Sequence, residues 1–368
     1  MSQPIGPPFV PGHQLSRAVY EDHVAPALAR RLPRLQYAAA VIGHGSDVLG
    51  YDTARSTDHD WGPRLQIIVG EQDGLALTTE ILAAVDEALP ETVCGVPVEL
   101  PGAQQLPDDT VTHHNSQVGR RHHGVTVTSV RRLLDELLRT TDDPRRWRAT
   151  QWLSTPRQSL LEFTAGPMYR DDTGELTAAR SALAWYPHDL WLYVMSARWQ
   201  RIAQIEAFVG RAAEVGDDLG SRVLAGQIAC DVMHLALLHR RAYAPYAKWL
   251  GTAFQRHDDG HKLGDHLTEA LSAGTASDRQ QALVRALLEL SRRHDDLAVT
   301  APMHSQAEMF FGRPYPVIWS ERIARGLHES INDPGVASLP FGLGGIDEIT
   351  NSTDALKSNG LRQAIATV

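Results

Sequence analysis

The residues with most chemical capacity form two clusters near the N-terminus, Gly45-Ser46-Asp47 and Asp58-His59-Asp60, joined by a polar loop containing Arg55, Ser56 and Thr57. If the second cluster begins a strand, alternation puts Asp58 and Asp60 on one face, about 6.6 Å apart. Two carboxylates so placed can share divalent ions. Mg²⁺ takes oxygen ligands, usually one or two carboxylates plus substrate phosphates, and a pair of ions about 3.5–4 Å apart can hold both the attacking and the leaving oxygen of an in-line phosphoryl displacement. A Gly-Ser turn ahead of a helix start supplies backbone N–H donors and a hydroxyl for the phosphates of the same nucleotide.

Each feature also has a plainer explanation. An isolated Asp-x-Asp pair is what a solvated acidic turn looks like, and it is the Gly-Ser upstream and Trp61-Gly62-Pro63-Arg64 downstream that favour chemistry. His59-Asp60 is also the pair used by metal phosphohydrolases, but that chemistry needs further histidines and an aspartate on neighbouring helices, whereas His59 lies in an expected strand. His113-His114, His122-His123 and the His257–His261 run lack the spacing of an HExxH helix or a Cys/His ribbon and read as loop histidines. Glu162, Asp189 and Glu206 could serve as a general base or, equally, as helix-surface or capping acids. Arg211 and Arg222 could bind phosphate or a neighbouring carboxylate, and Trp185, Tyr186, Trp191 and Trp199 read as packing aromatics.

Alternating strands and helices must position the two clusters. Leu15, Val19, Val24, Leu28 and Leu32 predict an amphipathic helix with a kink at Pro26. Strands are expected at 37–42, 60–69, 93–100 and 125–127. A helix is expected over Leu77–Leu89 and another over Val130–Leu138. From about residue 146 the periodicity is helical, over 188–213, 217–243 and 278–297, with Pro245 as a stop and Ser277 with Gln280 as a capping box. Beyond 300 the chain turns to Pro, Gly and aromatics and is expected to wrap the body. The fold class is therefore α+β: a small mixed-sheet domain over 1–145, a helical domain over 146–300 and a C-terminal segment over 301–368.

Composition narrows the function. The chain has 368 residues, 43% of them hydrophobic, enough for two cores, and 35 basic against 44 acidic residues. The formal charge of −9 provides no footprint for gripping a phosphate backbone, so nucleic acid is a poor partner. Cys94 and Cys230 are far apart and read as buried small hydrophobes. The N-terminal stretch MSQPIGPPFVPG has neither the basic nor the apolar region of a leader, and no apolar run of 18 residues is present. A cytoplasmic protein with no membrane partner is expected. Lys248, Lys262 and Lys357 are the only lysines, so a lysine in an unusual setting stands out.

Gly45-Ser46 followed by Asp58-His59-Asp60 resembles the pattern of the DNA polymerase β-type nucleotidyltransferase superfamily. The continuation Ser56-Thr57-Asp58-His59-Asp60-Trp61-Gly62-Pro63-Arg64 resembles an uncharacterised bacterial group, domain of unknown function 4037. That likeness extends to Tyr186-Pro187-His188-Asp189-Leu190-Trp191 and Tyr246-Ala247-Lys248-Trp249-Leu250. It implies a nucleotidyltransferase sheet joined to a helical domain, as in enzymes that modify aminoglycoside or lincosamide antibiotics, with substrates between the domains. It makes Gly45 and Ser46 nucleotide contacts and Asp58 and Asp60 the metal ligands for two Mg²⁺ ions. Glu99 is the candidate third catalytic carboxylate, unless Thr126 is its structural equivalent, which would weaken the site. Lys248 is then a triphosphate contact; otherwise it is a surface lysine after a proline turn. The implied activity is transfer of a nucleoside monophosphate from a nucleoside triphosphate, ATP first, to a small-molecule hydroxyl, for which an acidic chain suits a cationic acceptor. The alternatives are an antitoxin-like enzyme that modifies a protein and a non-catalytic nucleotide-binding protein.

Overall fold

Three consecutive alanines, Ala38–Ala40, form the strand β1, whose small side chains are all buried. The strand β2 is Arg64–Ile68. The short strands β3 (Thr92–Val93) and β4 (Val96–Pro97) make a hairpin of their own, and β5 (Gly124–Thr128) and β6 (Met168–Asp171) complete the main sheet. Its order is β5-β2-β1-β6. β1 runs antiparallel to β2, with Ala39 opposite Ile67, and antiparallel to β6, while β2 and β5 run parallel with Arg64 opposite Gly124. The sheet is thus mixed, and the fold is α+β with a helical part. A computed structural model describes residues 9–56, 61–71, 74–99, 123–352 and 356–366.

The chain divides into two units, Met1–Arg146 with Ser159–Ala184, and Trp147–Gln158 with Trp185–Val368. In the first unit, alternation along β2 sends Leu65 and Ile67 into a core with Leu15, Val19, Val24 and Leu28, with Ile81 and Val85 of the helix Gly74–Ala88, and with Leu89 just beyond that helix. Burying a Leu or Ile side chain stabilises by about 1.5–3 kcal/mol, so this face of the sheet carries much of the unit's stability. The N-terminal helix passes from Gly12–Ala18 through a wide π turn, Val19–Val24, into Ala25–Arg31, with Pro26 in the first turn of that last segment. The wide turn absorbs the missing proline N–H and the ring's bulk.

β6 lies beyond residue 146, in the stretch expected to be helical, and it brings residues 159–184 into the first unit. Within the expected strand 93–100, residues 93–97 turn back in the β3–β4 hairpin, because Cys94 and Gly95 both take positive φ, 51° and 78°, the signature of a type I′ turn. Cys94 is consequently exposed, and Cys230 is only half-buried, so neither is the fully buried hydrophobe expected.

The second unit is built on the helices His188–Ile205, Asp218–His239 and Ala276–Asp295. The last is capped by Thr275, whose hydroxyl accepts from the Asp278 N–H at 3.1 Å, not by Ser277; Gln280 is buried instead and donates to the Pro316 carbonyl. Asp218–His239 is long and apolar enough to cross a membrane by length and composition, yet it packs against its neighbours and carries a buried Asp231. Arg198 reaches that carboxylate at 2.7 Å and Glu348 at 2.5 Å, and Arg157 also bonds Glu348. These bonds fasten the C-terminal segment to the unit's core.

Candidate functional site

Alternation also sends Arg64 and Gln66 to the sheet face opposite Leu65 and Ile67. Both grip the chain as it leaves β1. The Gln66 side-chain amide takes the place of a strand partner: its oxygen accepts from the Ile42 N–H at 2.9 Å and its nitrogen donates to the Ile42 carbonyl at 3.1 Å. Arg64 donates to the His44 carbonyl at 2.6 Å and, through Nε, to the buried Asp47 carboxylate at 2.8 Å; its Nη2 bonds the second Asp47 oxygen. A two-point arginine–carboxylate bond fixes orientation as well as distance. Gly43 and Gly45, at φ 109° and 124°, supply conformations that a side chain would resist, and Ser46 sits half-buried in the turn.

Three further contacts converge on this end of the sheet. The Glu162 carbonyl accepts from the Gly43 N–H at 3.1 Å, and the buried Glu162 carboxylate meets His44 Nδ1 at 2.9 Å. Asp52 accepts from the Gly12 N–H at 2.7 Å and from the Trp61 indole at 3.1 Å, so it holds both the start of the N-terminal helix and the approach to β2. On the β5 side Glu99 is exposed and bridges His123, which immediately precedes the register partner of Arg64. His123 Nδ1 accepts from the Val125 N–H, which sets the proton on Nε2, 2.9 Å from Asp86.

Of the sequence-derived site residues, Gly45, Ser46 and Glu99 thus belong to elements that meet at one sheet end. Asp58 and Asp60 lie outside the described residues, as do His113, His114 and His122; the described chain resumes at Trp61. Thr126 pairs with Gln66 in the middle of the β2–β5 ladder. Lys248 belongs to the second unit, exposed in the helix Ala247–His257, its ammonium 5.0 Å from the Trp249 ring centroid. Among the described residues no group of three metal-ligating side chains occurs.

The remaining helical acids have structural partners. Burial raises the Glu206 carboxyl above its ordinary range while the Ser320 N–H and hydroxyl, each at 3.0 Å, pull it back down; it caps the helix Ser320–Glu329. Asp189 accepts from the Asn332 and Asp333 N–H groups. Arg222 pairs with Asp218 one helical turn earlier, and Arg211 lies over the Phe208 ring. Tyr186 packs among Trp152, Trp185 and Tyr243. Glu162 is the acid whose placement composition did not reveal, since nothing in the helix Arg157–Thr164 signals that its middle meets Gly43.

A family model described as "Domain of unknown function (DUF4037)" matches residues 152–250. That stretch holds β6 and Glu162 but not Ser46, Asp58 or Asp60. No curated protein matches the chain.

Proposed function

We propose that the chain is a Mg²⁺-dependent nucleotidyltransferase that takes a nucleoside triphosphate, ATP first, and moves its nucleoside monophosphate to a hydroxyl of a small molecule. The observation that carries this assignment is the Arg64 clamp, which ties the Gly43–Ser46 turn to the start of β2, four residues after Asp60. A Gly-Ser turn held rigidly beside the entry to a strand presents backbone N–H groups and a hydroxyl at fixed positions, as phosphate oxygens require. Oxygen-only donors suit Mg²⁺: Asp58 and Asp60 would hold it, with Glu99 contributing from the β5 side. When bound, the ion supplies charge neutralisation along the triphosphate. Ser46 and the turn amides orient the phosphates, and the Arg64–Asp47 pair keeps that turn from drifting. ATP dependence implies work in the cytoplasm.

Calorimetric titration with ATP in Mg²⁺ and in EDTA tests the assignment. Wild type is expected to bind only with Mg²⁺, Asp60→Ala to lose binding with an unchanged circular dichroism spectrum, and Ser46→Ala to bind about tenfold more weakly, the loss of one hydrogen bond of about 1.4 kcal/mol. Metal-independent binding, or wild-type affinity in Asp60→Ala, refutes it.

A further inference from the structure

The helix Asp218–His239 is apolar on two sides. Ser221, Ala225, Ile228, Val232 and Leu235 are its buried face. The opposite side carries Leu219, Val223, Gly226, Cys230 and Met233, separated by four, three, four and three residues, the repeat by which one helix packs along another. Much of this stripe is open to solvent. Leu219 is 75% and Val223 53% exposed, and Cys230 and Met233 are half-buried. No charge interrupts it, and Arg222 at its margin is neutralised by Asp218 at 2.7 Å.

Gly226, at the middle of the stripe, has no use in the chain's own packing. Among the described residues nothing lies within 4 Å of where its Cβ would stand. A glycine inside a helix weakens that helix relative to alanine, and what it offers in return is close approach of another backbone. The sizes along the stripe specify that partner. Two bulky residues, Leu219 and Val223, are followed by two small ones, Gly226 and Cys230. Turning a second copy end for end about a two-fold axis between residues 223 and 226 sets Val223 against the partner's Gly226 and Leu219 against the partner's Cys230. Bulk then meets hollow at each contact. A parallel pairing in register would set bulk on bulk and gap on gap, and would align the two helix macrodipoles that the antiparallel pairing opposes.

We propose that two copies of this chain associate through the exposed faces of their Asp218–His239 helices as an antiparallel homodimer, with the contact of Val223 and the partner's Gly226 beside the two-fold axis. One helix face against another lies at the small end of specific interfaces, below about 1,200 Å² in total, so the association is reversible and depends on concentration. It uses none of the residues assigned to the nucleotide.

The test uses the full chain with Cys94→Ser, which removes the exposed thiol of the β3–β4 turn. Sedimentation velocity between about 1 and about 200 μM is expected to show a monomer–dimer equilibrium. Gly226→Leu fills the hollow and should weaken the dimer at least about tenfold, while the melting temperature of the monomer stays the same or rises, because the new side chain enters open space on a helix. Leu219→Cys should give a disulfide-linked dimer under mild oxidation, through the partner's Cys230, and adding Cys230→Ser should abolish it. A chain that stays monomeric over the whole range, Gly226→Leu that dimerises as tightly as its parent, a Leu219→Cys variant that does not cross-link, or a cross-link that survives Cys230→Ser each overturns the proposal.

Discussion

Replacing Asp47 by Asn removes the charge from the pair that locks the Gly-Ser turn to β2. In the native chain Asp47 is 2% exposed and receives Arg64 on both oxygens as well as the Val48 N–H at 2.9 Å. Asparagine keeps one acceptor but turns an NH₂ group towards the guanidinium. Breaking a fully buried ion pair costs about 3–5 kcal/mol. Arg64 retains 17% exposure, so water recovers part of that, and a loss of about 3 kcal/mol is expected. For a domain of 150–250 residues each kcal/mol moves Tm by about 2–4 °C, so the melting transition of the first unit should fall by about 6–12 °C. Urea denaturation followed by circular dichroism gives the free energy directly. A cycle with Arg64→Met should show coupling of at least about 1.5 kcal/mol, because the residues form one unit. Mg·ATP affinity should fall too, since the same arginine holds the His44 carbonyl. A Tm shift below about 2 °C with unchanged nucleotide affinity would refute the view that this pair organises the turn.

Gly166→Ala should also be damaging, because at φ 79° the new Cβ would lie 2.2 Å from the Val41 carbonyl oxygen; a loss of more than about 2 kcal/mol is expected in urea titrations. Burial pushes His239 down to about 3 and His294 down to about 4, so the unfolded state binds more protons below pH 6.5. The second unit should therefore lose stability as pH falls from 6.5 towards 4, by up to about 1.4 kcal/mol per pH unit for each histidine, and His239→Leu should flatten the stability–pH curve. Iodoacetamide should alkylate native Cys94, exposed on its hairpin turn, well before Cys230, whose thiol burial pushes up, as peptide mass spectrometry would show.

Strong periodicity made much of the frame visible in the chain. Leu15 to Leu32, the alternation across Leu65 and Ile67, and the long helical stripes after residue 188 all name buried faces directly. What escaped lacks a local signal. β6 reads Met-Tyr-Arg-Asp with a half-exposed pattern, and it is a strand only because β1 needs a partner on its second edge. The β3–β4 turn was hidden because Cys-Gly replaces the usual Asn-Gly or Asp-Gly. The Gly-Ser turn could be singled out from residue type, but the devices that hold it could not. Gln66 acting as a backbone mimic, Arg64 reaching back to Asp47 and Glu162 reaching Gly43 are all long-range closures.

Diffraction from crystals soaked with Mn²⁺ and a non-hydrolysable ATP analogue tests the central claim most directly, since Mn²⁺ scatters anomalously and occupies oxygen-ligand sites of the Mg²⁺ type. The expected result is an anomalous peak about 2.1 Å from carboxylate oxygens of Asp58 and Asp60, with the phosphates against the Ser46 turn. An analogue bound elsewhere, or Mn²⁺ away from both aspartates, would contradict the account.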